Sequence, residues 1–179
     1  MLNDLIQAIR NLVARLSGSG AAVTAVKNLA AAGNYAANDV LSDNATDGQG
    51  TAWEFVNCAR ENGASFWITG VQATCSEDSI LARIRIHWFD AYPAGAELDD
   101  NAAFALVEAN RSHYLSPPTD LPAFADRGGF SATGDDTVRK MITPDAASRS
   151  IWAIVEILDA ETAELANMQM AIRLQIERL

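Results

Sequence analysis

Along residues 80–88 an apolar set, Ile80, Ala82, Ile84, Ile86 and Trp88, alternates with Leu81, Arg83, Arg85 and His87. Alternation of this kind puts successive side chains on opposite faces of an extended chain, so the stretch predicts a half-buried β-strand. The end of the chain repeats the pattern: Met168, Met170, Ile172, Leu174 and Ile176 alternate with Gln169, Ala171, Arg173, Gln175 and Glu177. Residues 150–159 differ, because Ile151, Trp152, Ile154, Val155, Ile157 and Leu158 make both faces apolar, which predicts a strand in the middle of the fold. Further strands are expected at residues 22–29, 51–60, 66–75 and 137–143, with an interrupted one in 33–50. Residues 89–101 read as a polar loop, 126–136 as a glycine-rich turn region, and 161–166 as a hairpin loop. Residues 116–122, with Pro117 and Pro118, read as extended chain or loop, and alanine-rich 102–110 predicts a turn or two of helix. Many short strands separated by turns predict a mainly β chain, a β-sandwich of jelly-roll type.

The N-terminus carries a different period. Leu2, Leu5, Ile9, Leu12 and Leu16 recur at alternating spacings of three and four, the seam of an amphipathic helix, and Ile6 and Val13 widen it. Asn3 and Asp4 suit the helix start, and Ser17-Gly18-Ser19-Gly20 ends it as a hinge. The chain therefore divides into an N-terminal amphipathic helix and hinge, 1–20, and a β-sandwich domain, 21–179. An isolated helix this short is marginal in water, so its stripe needs a partner: its own domain, copies of itself, or a foreign surface. The hinge argues against the first. Self-association is the favoured reading, and Leu and Ile at both seam positions are compatible with three strands.

Composition narrows the functional classes. The 179 residues suffice for one packed core, and 49% hydrophobic with 20% charged residues is globular composition. A net charge of −10, with only 13 scattered basic residues, argues against a nucleic-acid partner, whose phosphates need clustered Lys and Arg. The first residues hold no long apolar run and include Asp4, Arg10 and Arg15, so neither signal peptide nor membrane anchor is predicted, and synthesis in a reducing cytoplasm is expected. Cys58 and Cys75 are expected as small buried thiols, with a disulfide left open.

Candidate chemistry is sparse. His87 and His113 lack the paired spacing of a zinc site. Asp99, Asp100 and Asn101 offer oxygen donors to calcium but lack the alternating spacing of a calcium loop, and they read as a solvated turn, as do Asp135 and Asp136. His113 beside Ser112, Tyr114 and Ser116 is not accompanied by a GxSxG elbow, and His87, alternating with Arg85 and Arg83 on an exposed strand face, reads as a surface or subunit-contact residue rather than a base. Trp53, Trp67, Trp88 and Trp152 suit sugar stacking, yet each sits in a predicted strand, which favours the core for most of them. No catalytic residue, metal or cofactor is predicted, and an enzyme is the weakest class.

One resemblance sharpens the picture. It begins at Tyr35-Ala36-Ala37-Asn38-Asp39-Val40-Leu41-Ser42 and passes through Thr51-Ala52-Trp53-Glu54-Phe55. Gly63-Ala64-Ser65 then leads into Trp67-Ile68-Thr69-Gly70. After the strand at 80–88 come Trp88-Phe89-Asp90-Ala91-Tyr92-Pro93 and Leu98-Asp99-Asp100-Asn101-Ala102-Ala103-Phe104. This order resembles small structural proteins of tailed bacteriophages. The resemblance implies a non-enzymatic virion component with a jelly-roll-like β-sandwich, trimerising on the capsid surface as a decoration or cement protein after synthesis in the bacterial host cytoplasm. Its partner would be the major capsid protein, with no nucleic acid and no membrane involved. No functional residue carries over from that family; the contacts expected here are Leu2, Leu5, Ile9, Leu12 and Leu16, as trimer stem or capsid-binding arm. The alternatives are a head-fibre or receptor/carbohydrate-binding β-sandwich and a tail or baseplate component.

Overall fold

A computed structural model of the protein describes residues 6, 19–30, 34–77, 80–162 and 168–179. The predicted seam of Leu2, Leu5, Ile9, Leu12 and Leu16 lies outside the described residues. The described chain forms β1 (Ser19–Asn28), β2 (Trp53–Phe55), β3 (Phe66–Cys75), β4 (Ile84–Phe89), β5 (Thr119–Leu121), β6 (Ala125–Asp126), β7 (Ser131–Asp135), β8 (Lys140–Ile142), β9 (Ile151–Ile157) and β10 (Gln169–Arg178). β1 begins inside the stretch assigned to the hinge.

Two antiparallel sheets result. The broad sheet runs β1-β10-β3-β7-β6, with β8 also beside β3, and the narrow sheet runs β2-β9-β4-β5. The chain pairs from its ends inward: β1 with β10, β2 with β9, β3 with β8, and β4 with β5. It is a long antiparallel ribbon folded over on itself, with successive stretches falling in opposite sheets. Among the described residues no helix is long and apolar enough to cross a membrane.

The core follows from the alternating pattern. Ile84, Ile86 and Trp88 of β4 meet Met170, Ile172, Leu174 and Ile176 of β10, all fully buried or nearly so. In β3 the alternation breaks: Phe66 and Ile68 point inward, but so do Val71, Ala73 and Cys75. The register against β10 shifts between Gln175 and Ile176, so that Thr69 is an extra residue, a β-bulge that restores the inward set one position later. Trp53 and Trp88 are core residues, whereas Trp67 and Trp152 are only half-buried. Cys58 and Cys75 are buried free thiols, and burial pushes each up to about 12.

β9 is apolar on both faces because the narrow sheet is covered twice. Its inner face packs on the broad sheet; its outer face lies under residues 89–115, where Val40, Ala52, Phe89, Leu98 and Ile154 form a second core with Phe104, Tyr114 and Trp152 beside it. The helix expected at 102–110 is a correction: it shrinks to a 3₁₀ turn at Glu108–Asn110. Backbone pairing of Phe104 N–H to the Asn38 carbonyl and of Glu97 N–H to the Ala105 carbonyl holds the stretch before it extended across the sheet. Tertiary pairing thus outweighs alanine's helix propensity. Likewise, residues 126–136 are not merely a turn, since they hold the β6–β7 hairpin.

Candidate functional site

The outer face of the narrow sheet gathers the polar residues singled out in the sequence. His87 alternates outward on β4 but is only 5% exposed, because Phe104 from the covering segment stacks on its ring at 4.1 Å. It is therefore not the surface or subunit-contact residue expected. Its Nε2 lies 2.7 Å from Oε2 of buried Glu156 on β9, and its Nδ1 lies 3.1 Å from the Tyr114 hydroxyl. A carboxylate accepts only, so the Nε2–H donates to Glu156 while the Tyr114 O–H donates to Nδ1. Arg85 and Asp120 pair at 2.6 Å next to it, and Arg83 pairs with Asp159 at 2.7 Å nearer solvent.

Burial pushes the His87 imidazole below its ordinary 6.5, against the pull of Glu156. The groups facing it are Glu156 on β9, Arg85 on its own strand, Asp120 on β5 and Tyr114 from the covering segment. The unfolded chain takes up this proton near pH 6.5, whereas the folded chain resists it, so acidification favours unfolding. Stability is expected to be flat above pH 6.5 and to fall below it, with a slope approaching about 1.4 kcal/mol per pH unit. Denaturant titrations between pH 7 and about 5 check this, and His87→Gln should remove the slope.

The turn expected at Asp99-Asp100-Asn101 is present, but it is not solvated as expected, because both aspartates are buried. Asp99 accepts the N–H groups of Gly48, Gln49 and Gly50 at 2.6, 3.0 and 2.7 Å, and these bonds, that of Gly50 first, hold its carboxyl below its ordinary value. Gly50 is required there, since a Cβ would lie 1.9 Å from the Leu98 carbonyl oxygen. Asp100 accepts the Tyr35 hydroxyl at 2.8 Å and the Ser42 N–H at 2.6 Å. These carboxylates tie residues 35–50 to the covering segment. No group of three or more His, Cys, Asp or Glu side chains among the described residues is arranged to hold a metal. His113 pairs with Asp90 at 2.8 Å rather than with a serine.

Several troughs are open to solvent, and two of them bear on function. One lies between the free edges of β1 and β2, lined by Lys27, Asp43, Thr51, Tyr92 and Trp152. Its cation is already satisfied: Lys27 Nζ donates to Asp43 at 2.9 Å and to the Thr51 carbonyl at 2.7 Å. Burial pushes Asp43 up, but Lys27 and Thr51 outweigh it and hold it at about 2. The other trough, about 540 Å³, crosses the outer face of the broad sheet where β7 leaves β3, among Gly70, Gln72, Arg127, Phe130 and Gln175. No sequence motif announces it. Its signals are the bulge at Thr69 and an exposed Phe130 two residues after Gly128.

The edges of the broad sheet also matter. Leu29 N–H donates to the Met168 carbonyl, which continues the β1–β10 register, so odd-numbered residues of β1 bond to β10. The backbone groups of Gly20, Ala22, Thr24, Val26 and Asn28 face away from it. This ten-residue edge strand has no proline and no charged side chain on its exposed face, Lys27 being turned inward.

No family profile matches the sequence, and no curated protein matches it. Among solved structures, the chain is similar to one from the sacbrood virus of honeybee, at 12% identity and a TM-score of 0.30 over 90% of this chain and 70% of that one. It is also similar to one from tomato aspermy virus, at 8% identity and a TM-score of 0.33 over 98% and 95% of the two chains. A third is the enzymatically active domain of tailspike protein 4 of bacteriophage CBA120, at 9% identity and a TM-score of 0.29 over 87% of this chain and 19% of that one. At these TM-scores the strand order itself, not the likeness, defines the fold.

Proposed function

We propose that this chain is a virion structural protein, a jelly-roll subunit that decorates and stabilises a phage capsid shell as a trimer. Pairing of strands from the chain ends inward, distributed over two antiparallel sheets, supports the jelly-roll reading, an arrangement that serves viral capsids among other roles. The observation that carries the reading is the outer edge of β1: among the described residues no strand pairs with it and its exposed face carries no charge, and such an edge is a template for another chain that soluble proteins ordinarily blunt. The apolar seam of Leu2, Leu5, Ile9, Leu12 and Leu16 leads straight into it. Copies joined through that seam present several β1 edges to a shell, and linked binding multiplies their avidity. A protein that binds the assembled lattice of the major capsid protein and not its free subunit stabilises the shell by the free energy of binding.

Sedimentation of the full chain beside a version lacking residues 1–18 tests the assembly. A trimer that becomes a monomer on truncation is expected. Co-sedimentation with expanded capsids of the encoding virus tests the docking, and Thr24→Pro should abolish it without unfolding the protein, because that N–H is not used by β10. Intact chain that ignores capsids, or localises to fibres or the tail in imaged virions, would sink the decoration role.

A further inference from the structure

We infer that the trough on the outer face of the broad sheet binds a neutral oligosaccharide. Its floor is low because Gly70 and Gly134 carry no side chain, and Gly134 must stay bare, since a Cβ would lie 2.9 Å from the Val71 carbonyl oxygen. Around that floor stand Gln72, Gln175, Arg127 and Asp136. None of these side chains makes a hydrogen bond or ion pair among the described residues. The contrast with the β1–β2 trough is direct, since there Lys27, Asp43 and Thr51 already satisfy one another.

The unpaired groups define the ligand. Each carboxamide offers two donors and an acceptor, the guanidinium offers donors, and the carboxylate accepts. Vicinal sugar hydroxyls, which both donate and accept, match that set. Phe130, 44% exposed beside the trough, supplies an apolar ring against which the C–H face of a pyranose can lie. A polyanion is disfavoured by Asp135 and Asp136 and by the net charge of −10. An acyl chain would leave the carboxamides unpaired. The volume, about 540 Å³, lies within the range of about 300–1,000 Å³ typical of small-ligand sites, and the open ends admit a chain of sugars. The trough lies on the face of the broad sheet across β10, β3 and β7, whereas a subunit docked on β1 adds at the sheet's edge.

The test is calorimetry and saturation-transfer NMR on the full chain with maltohexaose, cellohexaose and chitohexaose as probes. At least one is expected to bind with a Kd below about 1 mM. Phe130→Ala, which removes an exposed ring, should weaken that binding about tenfold or more at unchanged Tm. Gly70→Leu should abolish it by filling the floor; its Cβ would meet only the Gln175 side chain and the Asp135 carbonyl oxygen at 3.4–3.6 Å. Tyr92→Ala, in the other trough, should leave it unchanged. Failure of all three sugars to bind, or binding that survives Phe130→Ala, overturns the inference.

Discussion

Asp100→Ala is expected to lower the unfolding free energy by about 3 kcal/mol, read as a shifted midpoint in urea with unchanged slope. The carboxylate is 3% exposed and receives the Tyr35 hydroxyl and the Ser42 N–H. Truncation leaves both donors buried without an acceptor, and hydrogen bonds to a charged group are the strong ones. Burial first, and then the Asp100 charge, push the Tyr35 phenol far above its ordinary value, so this hydroxyl remains a donor throughout the accessible pH range. Tyr35→Phe, which removes one donor and leaves Asp100 its Ser42 bond, should cost about 1 kcal/mol. A loss below 1 kcal/mol for Asp100→Ala would mean that the covering segment docks through its apolar contacts alone.

The parts of the fold legible in the sequence are those where one side chain in two meets the core. The alternations at 80–88 and 168–176 mark β4 and β10, and the double-sided apolar run at 150–159 marks β9 between β2 and β4. Even here the period overstates the strand, since Ile80 and Ala82 are buried in the core but precede β4. What the pattern could not convey is the second layer. Asp99, Asp100 and His87 look solvated because their partners, at Gly48–Gly50, Tyr35 and Glu156, come from distant stretches of chain. A polar residue satisfied by a loop across the sheet is indistinguishable in sequence from one satisfied by water. The same holds for the trough, because Gln72 and Gln175 become neighbours only through the β3–β10 register and its bulge.

The resulting division of labour has a physical logic. Polar groups on the outer face of the narrow sheet are paired inward and lock the loops. On the outer face of the broad sheet Gln72 and Gln175 are left for solvent, and among the described residues the outer edge of β1 has no partner strand. Function is therefore sought on the broad sheet, and substitutions under the narrow sheet's cover should report on stability.

His87→Ala is the sharpest case of the latter, with an expected loss of about 3–4 kcal/mol at pH 7. The substitution removes the ring stacked on Phe104 and strips Glu156, itself 4% exposed, of its 2.7 Å donor. Most of the cost is that of a carboxylate left buried without its partner, not the intrinsic worth of the contact. The double variant His87→Leu with Glu156→Leu removes both needs at once and fills the space with apolar volume, so it should lie within about 1 kcal/mol of the parent. The single variants His87→Leu and Glu156→Leu form a cycle with the double, whose coupling should reach about 2–3 kcal/mol, measured by denaturant unfolding. If the double variant is instead as unstable as His87→Ala, the buried pair and the His87–Phe104 stack together stabilise more than they cost to bury.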